Sequence, residues 1–443
     1  MEEITIQTNL DGVWHDAATL TLPDLEQGRR GGLRLNYEID YFFANDGAKG
    51  SAALGAHYPL SDIVGYQESV WPAFLDDIMP AGYARRHLVR QAGLGGLGPE
   101  EQDCRLLRNH TMAPVGNLRV KESLLEPRLP ALMFDKDRVL ERHIDFVDHA
   151  YERGAASGGA SGAGGEAPKY LVRETPEGQI WIDSYQDEGG CLDRGYLVKF
   201  ARGRGLVRDR QILEMEFAYY HLATHLGFDT IPTKGMALER YSNGDAQKLS
   251  LWLPRFDMKP VDGVMHRSGL ESVYSLLNAQ PGSDQLHVDA LGAIDNYLSG
   301  FEGYDRRAAV AEYLRRDLLN IVLGNSDNHC RNIAVIKTGE AAALAPVYDL
   351  APMRADDDAP RRTTRWGQLE RGGEFDFAGI CNLVGDRFEL EPEYLLGVLR
   401  ELAVSLRGAP RYLREFGVPS EMLTLPVLGF EHLDSRLQRW GLL

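Results

Sequence analysis

Residues 154–165 contain nothing but glycine, alanine and serine, and six of the twelve are glycine. Such a stretch brings no side chain large enough to build a core, so the folded masses lie before and after it. The length of 443 residues suits that division, being too long for one ordinary core and right for two or three packed units. The run leads straight into Ala167-Pro168-Lys169-Tyr170-Leu171-Val172, which reads as a strand. Composition therefore leaves two readings, a flexible linker or a loop that covers a phosphate.

On either side the patterns differ. Residues 1–125 mix short strands (4–8, 33–35) with turns and one helix near 83–89, and a second amphipathic helix is predicted at 142–153. After the glycine-rich run come strand patterns at 169–172, 179–185 and 196–200, then a helix over 209–226. Two further strands, about 234–241 and 249–256, meet at Asn243-Gly244, a strong hairpin dipeptide. Beyond Arg267 the chain reads as mainly helical. Strands with one helix, followed by a helical region, predict a two-lobed α+β architecture. Its expected divisions are 1–125, 126–257 and 258–443.

Hydrophobic residues make up 44% and charged residues 26%, a globular composition. The net charge of −17 disfavours a broad grip on nucleic acid, which needs phosphate neutralisation by Lys and Arg, but leaves room for a local basic pocket. Cys104, Cys191, Cys330 and Cys381 form no CxxC pair, so neither a zinc site nor a disulfide framework is expected. The acidic start lacks the features of a secretory signal, and no apolar run approaches the roughly 20 residues needed to span a bilayer. A cytoplasmic chain with no membrane partner is expected.

The most informative segment is Leu323-Gly324-Asn325-Ser326-Asp327-Asn328-His329-Cys330-Arg331-Asn332, in a loop after a helical run. Phosphoryl transfer needs a carboxylate to orient the attacking hydroxyl and, five residues on, an amide oxygen to help hold Mg²⁺; Asp327 and Asn332 have that spacing. A hairpin formed by 333–336 and 343–345 would return Asp349, in Pro346-Val347-Tyr348-Asp349-Leu350, beside Asn332 to complete a metal site. The plainer alternative is an Asx-rich surface loop capping its own backbone. Upstream, Lys199 sits inside an apolar strand and the next helix offers Glu214 and Glu216, one of which would turn the lysine toward phosphates. Lys169 is a second phosphate candidate.

Together these residues resemble the HipA family, kinase toxins of bacterial toxin–antitoxin modules. The resemblance spans most of the chain and rests most firmly on 324–332 and 344–350. Pro168-Lys169, Val198-Lys199-Phe200, the stretch 216–223, Arg255-Phe256-Asp257 and Leu75-Asp76-Asp77-Ile78-Met79-Pro80-Ala81-Gly82 support it. It implies a two-lobed, protein-kinase-like fold with a mixed N-terminal module and a largely helical C-terminal lobe. It implies Asp327 as the catalytic base or hydroxyl-positioning group, Asn332 and Asp349 as Mg²⁺ ligands, Lys199 as the phosphate holder and Glu216 as its orienting partner. His329 would lie against the nucleotide, with Leu253, Phe256 and Asp257 around adenine and ribose. Gly162, Gly164, Gly165 and Lys169 would cover the ATP phosphates. Autophosphorylation of the glycine-rich loop would fall on Ser161 first and Ser157 second, ejecting the loop by charge repulsion. This chain departs from the family in a longer loop, in Gly162 at the serine's usual place, and in Pro254 where the hinge acid belongs.

The implied activity is an ATP- and Mg²⁺-dependent serine/threonine protein kinase acting on a cytosolic protein, an aminoacyl-tRNA synthetase in the best-known members. The implied partner is a small DNA-binding, HipB-like antitoxin, with no direct nucleic-acid contact by this chain. A small-molecule or lipid kinase on the same scaffold, and an inactive antitoxin-binding pseudokinase, are the alternatives. The cluster Arg361-Arg362-Thr363-Thr364-Arg365 is open to two readings, a solvated loop or a seat for a substrate or the phosphorylated loop.

Overall fold

The computed structural model describes residues 1–61, 65–125, 128, 130–153, 168–202, 205–243, 246–358 and 360–443. The α+β, two-lobed arrangement expected from the order of elements is the one observed. An antiparallel five-stranded sheet opens the chain, in the order Gly65–Glu68, Leu33–Tyr37, Val13–Leu22, Glu2–Leu10, Leu118–Val120. Its first hairpin turns at Asp11 and Gly12, at φ 51 and 82, the left-handed pair that two-residue hairpin turns require.

A second antiparallel sheet, the cleft sheet, runs Ile180–Trp181, Lys169–Glu174, Arg194–Phe200, Ala246–Pro254, Ala237–Asn243. Both of its faces are buried, which is why its strands read as nearly continuous apolar runs. Tyr170, Val172, Tyr196, Val198, Phe200 and Trp252 pack toward the N-terminal module. The alternate residues Leu171, Leu197, Leu251 and Leu253 pack toward the helix Val207–His225 and the C-terminal lobe. The strand expected over 179–185 shrinks to Ile180–Trp181, because Asp183 leaves the ladder to bind Arg173 at 2.6 Å.

The C-terminal region is built on helices, among them His287–Leu298, Arg306–Val322, Phe377–Phe388 and Pro392–Leu406. It also holds a small sheet, Gly269–Ser272 beside Ala334–Thr338 beside Ala341–Leu344. The N-terminal module docks on this sheet. Ser51 N–H donates to Gly339 O at 2.8 Å, and a Cβ on the adjacent Gly50 would lie 1.9 Å from that carbonyl, so only glycine allows the approach. Behind it, Glu271 accepts from Ala56 N–H at 2.9 Å and from Lys337 Nζ at 3.1 Å.

Asp77 stands in the same interface, fully buried, with Oδ2 accepting from Ser272 N–H at 2.8 Å and Oδ1 without a hydrogen-bond partner. Burial pushes its carboxyl from 3.8 up to about 7, against the pull of Ser272 and Arg331. A raised carboxyl pKa means the folded state keeps the proton while the unfolded chain sheds it. Its contribution to stability is therefore largest at acid pH, falls as pH climbs from about 4 to 7, and stays low above that. Asp77→Asn keeps an acceptor for Ser272 without the charge, and is expected to gain on the order of 2–4 kcal/mol over the parent at pH 8 but little at pH 4. Thermal denaturation at both pH values checks it; an equal loss at both would show that Asp77 serves as a charge.

Candidate functional site

The cleft sheet sets two lysines face to face. Lys169 and Lys199 are direct partners across the antiparallel pair, on the face that carries Leu171 and Leu197. Both are almost fully buried. Like charges directly opposite each other destabilise a sheet, so this register needs anions. Glu216 comes from the helix Val207–His225 and accepts from Lys199 Nζ at 2.5 Å. Asp349 bonds Lys199 through one oxygen and lies 3.6 Å from Lys169 through the other. Two buried cations thus meet two buried carboxylates. Glu214 turns outward and pairs with Arg240 at 2.7 Å.

Burial pulls Lys199 down, but Asp349 and Glu216 outweigh it and hold its amine above the ordinary value. For Lys169 burial wins, and the amine falls below its ordinary value in spite of Asp349. Burial likewise pushes Asp349 up, yet Lys169 and Lys199 hold its carboxyl below the usual range. Tyr220, one turn beyond Glu216, donates to Glu216 Oε1 at 3.3 Å and accepts from Leu350 N–H at 3.4 Å, tying the helix to the Asp349 turn.

The Asp327 loop is fixed from the helix Arg306–Val322. Gly324 ends that helix at φ 70, where a Cβ would lie 2.7 Å from Leu428 Cδ2. Asn325 then acts as a hub: Nδ2 donates to Asn320 Oδ1 at 2.8 Å and to Asp349 O at 3.2 Å, while Oδ1 accepts from Asp327 N–H at 3.2 Å. Asn332 Nδ2 donates to Asp327 O at 2.8 Å, closing the loop. The expected hairpin forms as Ala334–Thr338 with Ala341–Leu344, and it returns the chain so that Tyr348 O–H donates to Arg331 O at 2.6 Å. Asp349 itself takes a left-handed φ of 54, a conformation Asp tolerates better than most residues. Burial raises the Asp327 carboxyl above its ordinary value, against the attraction of His329, whose Nε2 lies 3.8 Å from Asp327 Oδ1.

Two cavities meet at Lys199 and Asp349. One is lined by Lys169, Glu216 and Asp327 together with Arg202. The other is lined by Leu171, Leu197, Leu253, Phe256 and Asp257 among others, and is largely apolar. Asp257 has both oxygens engaged, with Arg255 Nε at 2.9 Å and Gly116 N–H at 2.8 Å, so it shapes that wall from behind. Asn332 lies beneath the loop beside Asn328 and Tyr348. Gly162, Gly164, Gly165, Ser157 and Ser161 lie outside the described residues.

Asn332 Oδ1 is buried and has no hydrogen-bond partner. Among the described residues no three His, Cys, Asp or Glu side chains gather as a metal cage. Asn332 lines neither of the cavities that meet at Lys199 and Asp349; an amide oxygen and a carboxylate are the donor types that suit a hard cation sharing its remaining positions with water and phosphates. Sequence reasoning passed over Arg202, Tyr220 and Asn325. Only Arg202 left a signal, as a cation closely following Lys199 at a strand end.

Comparison with known proteins bears on the family and the fold. The HipA-like C-terminal domain family matches residues 161–406. Over 173 residues, 38% of this chain and 39% of the other, the sequence is 28% identical to Y4mE of Sinorhizobium fredii (strain NBRC 101917 / NGR234), named as a candidate kinase. The chain thus spans about two fifths of the length of that curated relative. HipA in the Shewanella oneidensis MR-1 toxin–antitoxin complex of HipA, HipB and operator DNA superposes on 99% of this chain and 96% of its own, with a TM-score of 0.64 and 16% identity. That likeness is one of fold. The family match covers more than half of the sequence, and the chain belongs to the HipA-like family.

Proposed function

We propose that the chain is an ATP- and Mg²⁺-dependent kinase that phosphorylates serine or threonine on a protein. The observation that carries this reading is the placement of Lys199 between Glu216 and Asp349, on a cavity that Asp327 also lines. Glu216 holds Lys199 pointing at the α- and β-phosphates, and Lys169 adds a second cation beside it. The apolar cavity around Leu253 and Phe256 takes the adenine. Asn332 and Asp349 would hold Mg²⁺, which when bound would neutralise charge on the phosphates. Asp327 accepts the proton of the acceptor hydroxyl at its carboxylate and aims that oxygen at the γ-phosphorus. The new O–P bond forms as the bond to the β-phosphate oxygen breaks, and ADP leaves.

In this reading Ser161, then Ser157, is the autophosphorylation site, and a small DNA-binding, HipB-like antitoxin is the partner that contacts nucleic acid. A cytoplasmic setting would supply the ATP; among the described residues no helix is long and apolar enough to cross a membrane. Incubating the purified chain with γ-labelled ATP and Mg²⁺ is expected to label the chain or an added protein. EDTA is expected to lower that transfer by about 100-fold or more, since positioning and charge neutralisation supply most of the rate. Label that appears only on a small molecule, or transfer indifferent to EDTA, would overturn the proposal.

A further inference from the structure

The Asp327 loop has two sides. Asp327 lines the phosphate-side cavity, whereas the preceding residue, Ser326, forms part of a separate, open cavity on the outer face. Neighbouring Cα atoms are about 3.8 Å apart, so a chain seated in the outer cavity lies within a few residues of the Asp327 carboxylate. The walls of that cavity carry Arg354, Arg361, Arg362, Arg365, Arg436 and Arg439 against Glu370 and Glu374. This concentration of positive charge stands out in a chain with a formal net charge of −17.

Most of these arginines are already matched. Arg362 pairs with Asp317 at 3.0 Å and Glu370 at 2.8 Å, Arg361 and Arg365 share Asp284, and Arg439 meets Glu374 at 2.8 Å. Arg354 and Arg436 are different: among the described residues neither has a carboxylate within ion-pair distance. Arg436 is only 9% exposed, its Nη1 donating to Leu428 O at 3.1 Å and its guanidinium lying over the Trp440 ring. Arg354 is pinned to the catalytic loop, its N–H donating to Gly324 O at 2.9 Å. Burial first, and then a neighbouring arginine, draws each below its ordinary value: Arg362 acts on Arg354, and Arg354 acts on Arg436. Glu370 attracts Arg354 and Glu374 attracts Arg436 from beyond ion-pair distance, too weakly to offset burial and the arginine beside each, so an arriving anion would relieve them.

We propose that this cavity docks an acidic peptide segment, with Arg354 and Arg436 receiving its carboxylates and a neighbouring hydroxyl presented to Asp327. The inference deepens the kinase reading and rests on it for the chemistry, though not for the binding. A peptide fits better than a nucleic acid. Phe375, Pro426 and Val427 interleave apolar surface with the guanidiniums, and two glutamates stand in the wall. A nucleic-acid backbone asks instead for an extended cationic track, and the acidic molecule repels a long polyanion.

The test uses the full chain and fluorescein-labelled short peptides with a central serine flanked by Asp and Glu, or by Ala. Without ATP, the acidic peptide is expected to bind about tenfold more tightly, an advantage that falls to about twofold in Arg354→Gln and is partly retained in Arg354→Lys. If Arg354→Gln fails to fold by circular dichroism, Arg439→Glu, at a half-exposed rim position, is read in its place and should show the same loss. Equal binding of the two peptides, an advantage that survives these variants, or displacement of the peptide by a single-stranded RNA oligomer at lower concentration than by unlabelled peptide would overturn the proposal. Adding ATP and Mg²⁺ separates the two readings. Asp327→Asn should still bind the acidic peptide, and a parent chain that binds it but never phosphorylates it would uphold the docking site while refuting the kinase.

Discussion

Under the proposed kinase reading, replacing Asp327 by Asn is expected to lower the rate of phosphoryl transfer by about 10³-fold, while ATP affinity and thermal stability stay close to those of the parent. The stability half of this expectation follows from how the loop is held. Its hydrogen bonds engage the Asp327 backbone: the N–H donates to Asn325 Oδ1, and the carbonyl accepts from Asn332 Nδ2. Asn at 327 leaves both intact. Burial already disfavours the Asp327 charge, so removing it takes nothing from the fold. The rate half follows because an amide cannot take up the proton of the acceptor hydroxyl. The expected kinetic signature is a fall in kcat with the KM for ATP unchanged. A variant within about tenfold of the parent's kcat would show that another group is the base. The same chemistry fixes the sign of the pH profile. Since the base works only when ionised and burial raises its pKa, activity climbs with pH through a limb above the ordinary Asp range.

Why Asp327 was legible and its surroundings were not is a question of sequence distance. Asp327, Asn332 and Asp349 sit in short polar turns between apolar stretches, so their spacing survives in the linear chain. Lys199 was legible as a charge inside an apolar strand, and the structure shows that strand buried on both faces, where a lysine needs a partner. Arg202 was visible as a cation after that strand, but its place in the site depends on Asp356 and Asp358, far along the chain. Arg354 and Arg436 become a pair only after the C-terminal helix Leu433–Arg439 has packed against the loop. Pairing of Gly269–Ser272 with Ala334–Thr338 was equally invisible, since the region between them is helical and no local signal specifies the match. The N-terminal hairpin is a different kind of miss. Asp11-Gly12 is a strong turn dipeptide, and the strand Val13–Leu22 that follows it was overlooked because its early residues are polar. Strand ends shifted for similar reasons: the segment expected at 249–256 begins at Ala246, where it pairs with Asn243, and stops at Pro254.

Lys199→Met is expected to destabilise the fold by about 3–5 kcal/mol as well as abolish transfer, because it leaves the buried Glu216 carboxylate with no cation in ion-pair contact. The burden falls unevenly. Asp349 retains Lys169 at 3.6 Å, whereas Glu216, 3% exposed, retains the Tyr220 hydroxyl at 3.3 Å and only the longer-range attraction of Lys169. Glu216 can escape by taking up a proton, so its folded pKa rises in the variant. A raised carboxyl pKa favours folding at low pH and loses that advantage as pH climbs, so the gap between variant and parent should be wider at pH 8 than at pH 5. Removing the second charge supplies the control. In Lys199→Met/Glu216→Met an apolar pair replaces the ion pair, and most of the lost stability is expected to return while activity does not. Urea denaturation of the three proteins at both pH values measures this directly. A single variant within about 1 kcal/mol of the parent at pH 8 would mean that Glu216 is already neutral beside Lys199, and that Asp349 alone orients the lysine.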